Sequence, residues 1–139
     1  MKKFLCVLAL ALCTMAVFAA EVEASIVLTK VEPKKGSLFV AIYDSSESMK
    51  KNKPVASFKV ETSGETVTVA VTLPIGEYYV SAYQDINNNG KLDTNFIGIP
   101  KEPVGIANYS GSGIPGGFDK HKVLINTPNQ IVTVVMNKI

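Results

Sequence analysis

The stretch Thr66-Val67-Thr68-Val69-Ala70-Val71-Thr72-Leu73 decides the fold class. Val67, Val69, Val71 and Leu73 fall on one face of an extended chain and Thr66, Thr68 and Thr72 on the other. That is the period of a half-buried strand, not of a helix. The β-branched residues suit a pleated surface for the same reason. Pro74-Ile75-Gly76 follows and predicts a tight turn, because proline presets one backbone angle and glycine accepts a positive one.

Working outward, the same alternation recurs between Gly, Pro, Asn and Asp clusters. Strands are predicted over Ser25 to Glu32, Ser37 to Tyr43 after the Pro33-Lys34-Lys35-Gly36 turn, Val55 to Glu61, Glu77 to Gln84, Lys122 to Ile125 and Gln130 to Asn137. The polar connection Asp44 to Lys53 carries Ser45, Ser46, Glu47 and Ser48, residues that cap a single helical turn before Lys50. About seven short strands with almost no helical periodicity predict an all-β chain, an antiparallel β-sandwich of immunoglobulin-like or transthyretin-like topology. In Glu77 to Gln84, Tyr79 and Tyr83 share a face with Ser81, opposite Tyr78, Val80 and Ala82. One set packs the core and the other faces outward.

Residues 1–19 read as a cleavable export signal. Lys2 and Lys3 are the only charges before Glu21, Phe4 to Phe18 is apolar, and Val17-Phe18-Ala19 fits a cleavage site. Val22-Glu23-Ala24 offers a second site, so cleavage is expected near 19 with 24 as the alternative. The apolar run is shorter than the roughly 20 residues of a spanning helix, so no transmembrane segment is expected after cleavage. Cys6 and Cys13 are the whole cysteine complement and both lie in the signal. A mature domain over 20–139 therefore holds no disulfide and relies on its core. Removing Lys2 and Lys3 from the 14 basic residues leaves 12, against 12 acidic. With no basic run beyond short pairs, nucleic-acid binding is set aside. The expected location is the periplasm or the extracellular medium.

Between the fifth and sixth predicted strands, residues 85–120 form a long loop, and a compact domain rarely carries one without a use. Its first part, Asp85-Ile86-Asn87-Asn88-Asn89-Gly90-Lys91-Leu92-Asp93, fits the D-x-[DN]-x-[DN]-G calcium loop. Oxygens of Asp85, Asn87 and Asn89 alternate toward one point, Gly90 turns the chain, Lys91 offers its carbonyl and Asp93 contributes directly or through water. An Asx-rich hairpin turn explains Asn89-Gly90 but not the alternating oxygens. Phe96 stands at the twelfth position, where a bidentate Glu usually closes the shell. Glu102, Asp119 and Asn95 are the candidates to replace it. Two carboxylates predict a weak calcium site, with Kd on the order of 0.1 to 1 mM.

From Leu73 through Asp119 the chain resembles an uncharacterised bacterial exported family, domain of unknown function two-one-four-one. The resemblance rests on Leu73-Pro74-x-Gly76-x-Tyr78, Gln84-Asp85-x-Asn87-x-Asn89-Gly90-Lys91-Leu92-Asp93-Thr94-Asn95-Phe96 and Gly98-Ile99-Pro100-Lys101-Glu102. It implies an exported β-sandwich whose central loop carries the family signature, and no established activity. Pro103 stands where that pattern has a glycine, and Ile106 and Ala107 where it has an aromatic residue and a serine.

No G-x-S-x-G elbow and no H-E-x-x-H motif occurs in the sequence, and Asp85, Asp93, Glu102 and Asp119 are the carboxylates available for acid and base roles. His121 is the single histidine and is expected to be structural or superficial. Ser110-Gly111-Ser112-Gly113 lacks the Lys-Ser/Thr ending of a phosphate loop. The expectation is a non-enzymatic binding or structural module with a calcium-ordered loop, serving a protein or cell-envelope partner. The alternatives are a metal-dependent enzyme using the acidic loop, or a carbohydrate or cell-envelope adhesion module with a flat exposed Tyr face.

Overall fold

The computed structural model describes residues 18–139. The chain runs β1 (Glu21–Thr29), β2 (Ser37–Tyr43), α1 (Ser46–Lys50), β3 (Ala56–Glu61), β4 (Val67–Pro74), β5 (Gly76–Asp85), β6 (Val104–Ile106), α2 (Phe118–His121), β7 (Val123–Ile125) and β8 (Gln130–Val135). Two sheets face each other in a β-sandwich, as the alternating pattern requires. One has the order β4-β1-β8; the other has the order β3-β2-β5-β6, with β7 also paired to β5. The export-signal reading falls on residues 1–17, outside the described ones, apart from its last two positions.

In β4, Val67, Val69, Val71 and Leu73 are buried and the residues between them exposed. Their strand pairs antiparallel with β1, from Glu21 opposite Pro74 to Leu28 opposite Val67. Val22, Ala24, Ile26 and Leu28 therefore enter the same core. From the other sheet, Leu38, Val40 and Ile42 on β2 and Tyr78, Val80 and Ala82 on β5 meet them. Burying each such aliphatic side chain contributes about 1.5 to 3 kcal/mol, and the described residues contain no cysteine to add a crosslink.

Several expectations need correction. The first strand begins at Glu21, not Ser25. Pairing of β1 with β8 is parallel, Ala24 opposite Gln130 through Thr29 opposite Val135, within an otherwise antiparallel arrangement. The turn at Pro74-Ile75-Gly76 carries the chain from one sheet to the other, β4 and β5 belonging to different sheets. Gly76 accordingly does not adopt a positive φ, and Tyr78 braces the crossover by donating its hydroxyl to the Pro74 carbonyl at 2.6 Å. The long loop also contains β6 and α2. Three residues with glycine at their centre show no alternation, so β6 gives no periodic signal. The single helical turn after Asp44 does form, with Ser45 as its cap accepting the Ser48 amide at 3.1 Å.

The start of the candidate loop is fixed by a turn on the neighbouring strand. Gly36 has φ of +61°, and a Cβ there would lie 1.7 Å from the Asp85 carbonyl oxygen, so only glycine fits. Buried Gln84 binds the same turn, donating to the carbonyls of Glu32 and Lys35 at 2.7 Å each and accepting the Glu32 amide at 3.0 Å. Every polar atom of that side chain is thereby satisfied.

Candidate functional site

Asp85 ends β5 and is almost wholly buried. Its Oδ1 accepts the Asn89 amide at 3.1 Å and its Oδ2 the Gly90 amide at 2.7 Å. Those bonds wrap the backbone around the carboxylate, which Asn88 (φ +56°) and Gly90 (φ +79°) allow. Asn87 Nδ2 donates to Asp93 at 2.6 Å, and Asn89 Nδ2 donates to both Asp93 oxygens at 2.9 and 2.8 Å. Asn89 is thus the link between the two acids. The Asn87 amide, then that of Asn89, holds the exposed Asp93 carboxyl below its ordinary pKa of 3.8.

The three candidates for completing the ion shell lie in different places. Glu102 is buried beneath it, its Oε1 accepting the Ile86 amide at 2.9 Å and its Oε2 the Asp93 amide at 3.0 Å. Asn95 instead caps its own turn, accepting the amides of Ile97 and Ile99 at 3.0 Å each. Asp119 lies on α2, solvent-exposed and 3.8 Å from the Lys122 amine. Phe96, at the twelfth position, is 99% exposed and turns away from the loop.

Asp85, Asn87, Asn89, Asp93 and Glu102 therefore gather, with Lys91 in the same turn donating its amide to Asn89 Oδ1 at 3.1 Å. Among the described residues, no three His, Cys, Asp or Glu side chains form a metal-binding group. A cation here would draw on the carboxylates of Asp85 and Asp93, the amide oxygens of Asn87 and Asn89 and the Lys91 carbonyl. That all-oxygen set suits calcium and not a softer metal.

After Asp93 the chain folds into a small finger. Lys101 donates its amide to the Asp93 carbonyl at 2.8 Å, Thr94 bridges to Pro100, and Gly98 (φ +84°) turns the tip. The finger stands over the outer face of the β3-β2-β5-β6 sheet. Tyr43, Tyr79, Ile106, Tyr109 and Phe118 form a second apolar cluster on that face. Tyr79 is consequently buried, and burial pushes its hydroxyl pKa up. Tyr83 is raised as well, first by burial and then by the nearby negative charges of Asp85 and Glu102. No flat exposed face of Tyr79 and Tyr83 results.

His121 pins this layer. Its Nε2 accepts the Gly116 amide at 3.0 Å, so Nδ1 carries the proton and donates to the Asn108 carbonyl at 2.9 Å. The ring is buried edge-on to Tyr79 and Tyr109. Of the two expectations for this histidine, structural or superficial, its burial excludes the second.

Between the sheet and the overlying loops lies an apolar groove of about 1020 Å³. Sequence reasoning missed it, although a signal was present. Phe39, Ala41 and Tyr43 make the outward positions of β2 as apolar as its inward ones, the mark of a strand covered on both faces. No helix among the described residues is long and apolar enough to cross a membrane.

Comparison with curated proteins and with solved structures returns no match. The profile of uncharacterized proteins conserved in bacteria, DUF2141, matches residues 26–133, spanning both sheets and the whole Asp85 loop. The chain belongs to the DUF2141 family.

Proposed function

We propose that the chain is an exported, non-enzymatic binding module in which calcium fixes the Asp85–Asp93 loop. The observation that carries this reading is the position of Asn89, bonded through its amide to Asp85 and through its side chain to Asp93. Two acids and two asparagines are thereby brought to one turn. Calcium would supply positive charge there, holding the acids together and offsetting the entropy cost of ordering the finger that follows.

Export is supported by the apolar Phe4 to Phe18 run and by where β1 begins. Cleavage after Ala24 would remove Val22 and Ala24, both buried, together with their pairing to Leu73 and Val71. Cleavage near 19 leaves β1 whole, and the Ala20 carbonyl still accepts the Ile75 amide at 2.8 Å.

The test is thermal melting and limited proteolysis of the mature chain in calcium and in chelator. A site filled to about 100 times its Kd gains roughly 2.7 kcal/mol, enough to raise Tm by several degrees. Cutting between 85 and 120 should slow in parallel. Identical melting and identical cutting in the two buffers would end the proposal.

A further inference from the structure

The groove over the β3-β2-β5-β6 sheet has a built floor. Strand register sets Lys59, Phe39, Tyr83 and Val104 side by side in one outward row. The next row is Ser57, Ala41, Ser81 and Ile106, three of them small. Beyond it, Tyr43 stands opposite Tyr79. A trough of small residues thus crosses the strands between two aromatic ridges. Ile97, Ile99 and Pro100 of the finger and Ile114 of the next loop line its walls.

The ridge beside Lys59 is closed to face-on stacking. Phe39 and Tyr83 lie ring against ring, 5.0 Å apart and 7° from parallel. Lys59 Nζ stands 5.5 Å from the Phe39 centroid, and Val104 neighbours Tyr83 on its far side. These rings offer edges to the trough, so a sugar has no aromatic face to lie on there. What remains is an apolar channel at the upper end of the usual size range of ligand sites, about 300 to 1,000 Å³.

Charge selects the occupant further. Among the described residues Lys59 is the one charged side chain in the lining, which Ile139 and its carboxylate also border, and Lys59 makes no ion pair within 4.0 Å. Glu61, next on that face of β3, is outside the lining. An anionic head placed at the β3 side of the groove can pair with Lys59, which a neutral or a cationic head cannot.

We propose that the groove binds the alkyl chain of a single-chain anionic amphiphile, a long-chain carboxylate, with Lys59 receiving the head. The floor belongs to the sheet, but the finger supplies part of the walls, so the proposal rests on the calcium reading to the extent that calcium orders the finger. Ring edges, Ala41 and the finger isoleucines receive the methylenes.

The experiment is isothermal titration of the mature chain with octanoate, decanoate and laurate below their micellar concentrations. Chelator is present, since calcium precipitates these soaps, and limited proteolysis between 93 and 101 in the same buffer shows that the finger is ordered before a missing laurate signal is counted against the site. One site per chain is expected, strengthening about fourfold per added methylene. Dodecyltrimethylammonium, with the same chain and the opposite charge, should bind at least tenfold more weakly than laurate. Ser57→Trp, on an exposed edge strand, should abolish binding by filling the trough with the melting curve retained, and Lys59→Glu should remove the preference for the anionic head. Absence of saturable laurate binding, affinity independent of chain length, or full binding by folded Ser57→Trp would each overturn the proposal. Pairing of two chains through this face, seen in sedimentation and blocked by Ser57→Trp, would overturn it also.

Discussion

Glu102 holds Asp93 by the backbone: its Oε2 accepts the Asp93 amide at 3.0 Å while its Oε1 accepts that of Ile86 at 2.9 Å. One buried carboxylate therefore ties the entry of the acidic loop to its exit. Removing it strands two amides beneath the loop, at about 1 to 3 kcal/mol for each donor that water does not reach. Glu102→Ala should destabilise by about 3 kcal/mol in urea unfolding, and Glu102→Gln, which keeps one acceptor, by less. A Glu102→Ala protein as stable as the parent would show that this brace contributes nothing.

Asp93 gives a pH dependence of defined sign. Its folded pKa is lowered by the Asn87 and Asn89 amides. The contribution of the charged form is therefore complete above the ordinary value of 3.8 and is lost as pH falls through the lowered folded value. Loop opening, followed by amide exchange at Asn89 and Lys91, should rise below that value. In Asp93→Asn the acid step should disappear.

Gly105 marks where β6 crosses close to β8. A Cβ there would lie 2.6 Å from Val134 Cγ1 and 2.9 Å from both Met136 Sδ and the Val135 carbonyl oxygen. Gly105→Ala should cost about 1 to 3 kcal/mol by overpacking, read as a lower denaturant midpoint with unchanged slope. Because Val104 lines the groove, the same variant should weaken laurate binding.

His121 is expected to act locally. His121→Ala removes the acceptor for Gly116 and the donor to Asn108, and should cost roughly 2 kcal/mol. Protease sites between 108 and 117 should open well before the sandwich unfolds, with far-ultraviolet dichroism unchanged. Simultaneous loss of both would place this layer in the main cooperative unit instead.

The strands were legible wherever one face is buried and the other wet. Val67 to Leu73 declares itself because its two faces meet different solvents. Tyr79 did not, because Tyr109 and Phe118, distant in sequence, return to cover it. Local alternation carries no information about such a second layer. For the acidic loop, spacing grouped Asp85, Asn87, Asn89 and Asp93, but that Glu102 lies beneath the loop while Asn95 and Asp119 do not depends on where the finger folds back. The groove depends on register across four strands, and register is fixed by pairing.

The parallel pairing of β1 with β8 bears on the order in which the molecule assembles. β1 lies between β4 and β8, joining Ala24 to Gln130 near opposite ends of the chain. A nascent polypeptide holds Ile26 and Leu28 without their full surroundings until Val132 and Val134 arrive. The smaller sheet closes late, and contacts of such sequence separation make folding slow for the chain's size. Until then the vacant side of β1 is a template for any β8, including that of a neighbouring molecule. Refolding at high concentration should therefore yield exchanged dimers, whereas dilute refolding yields monomers.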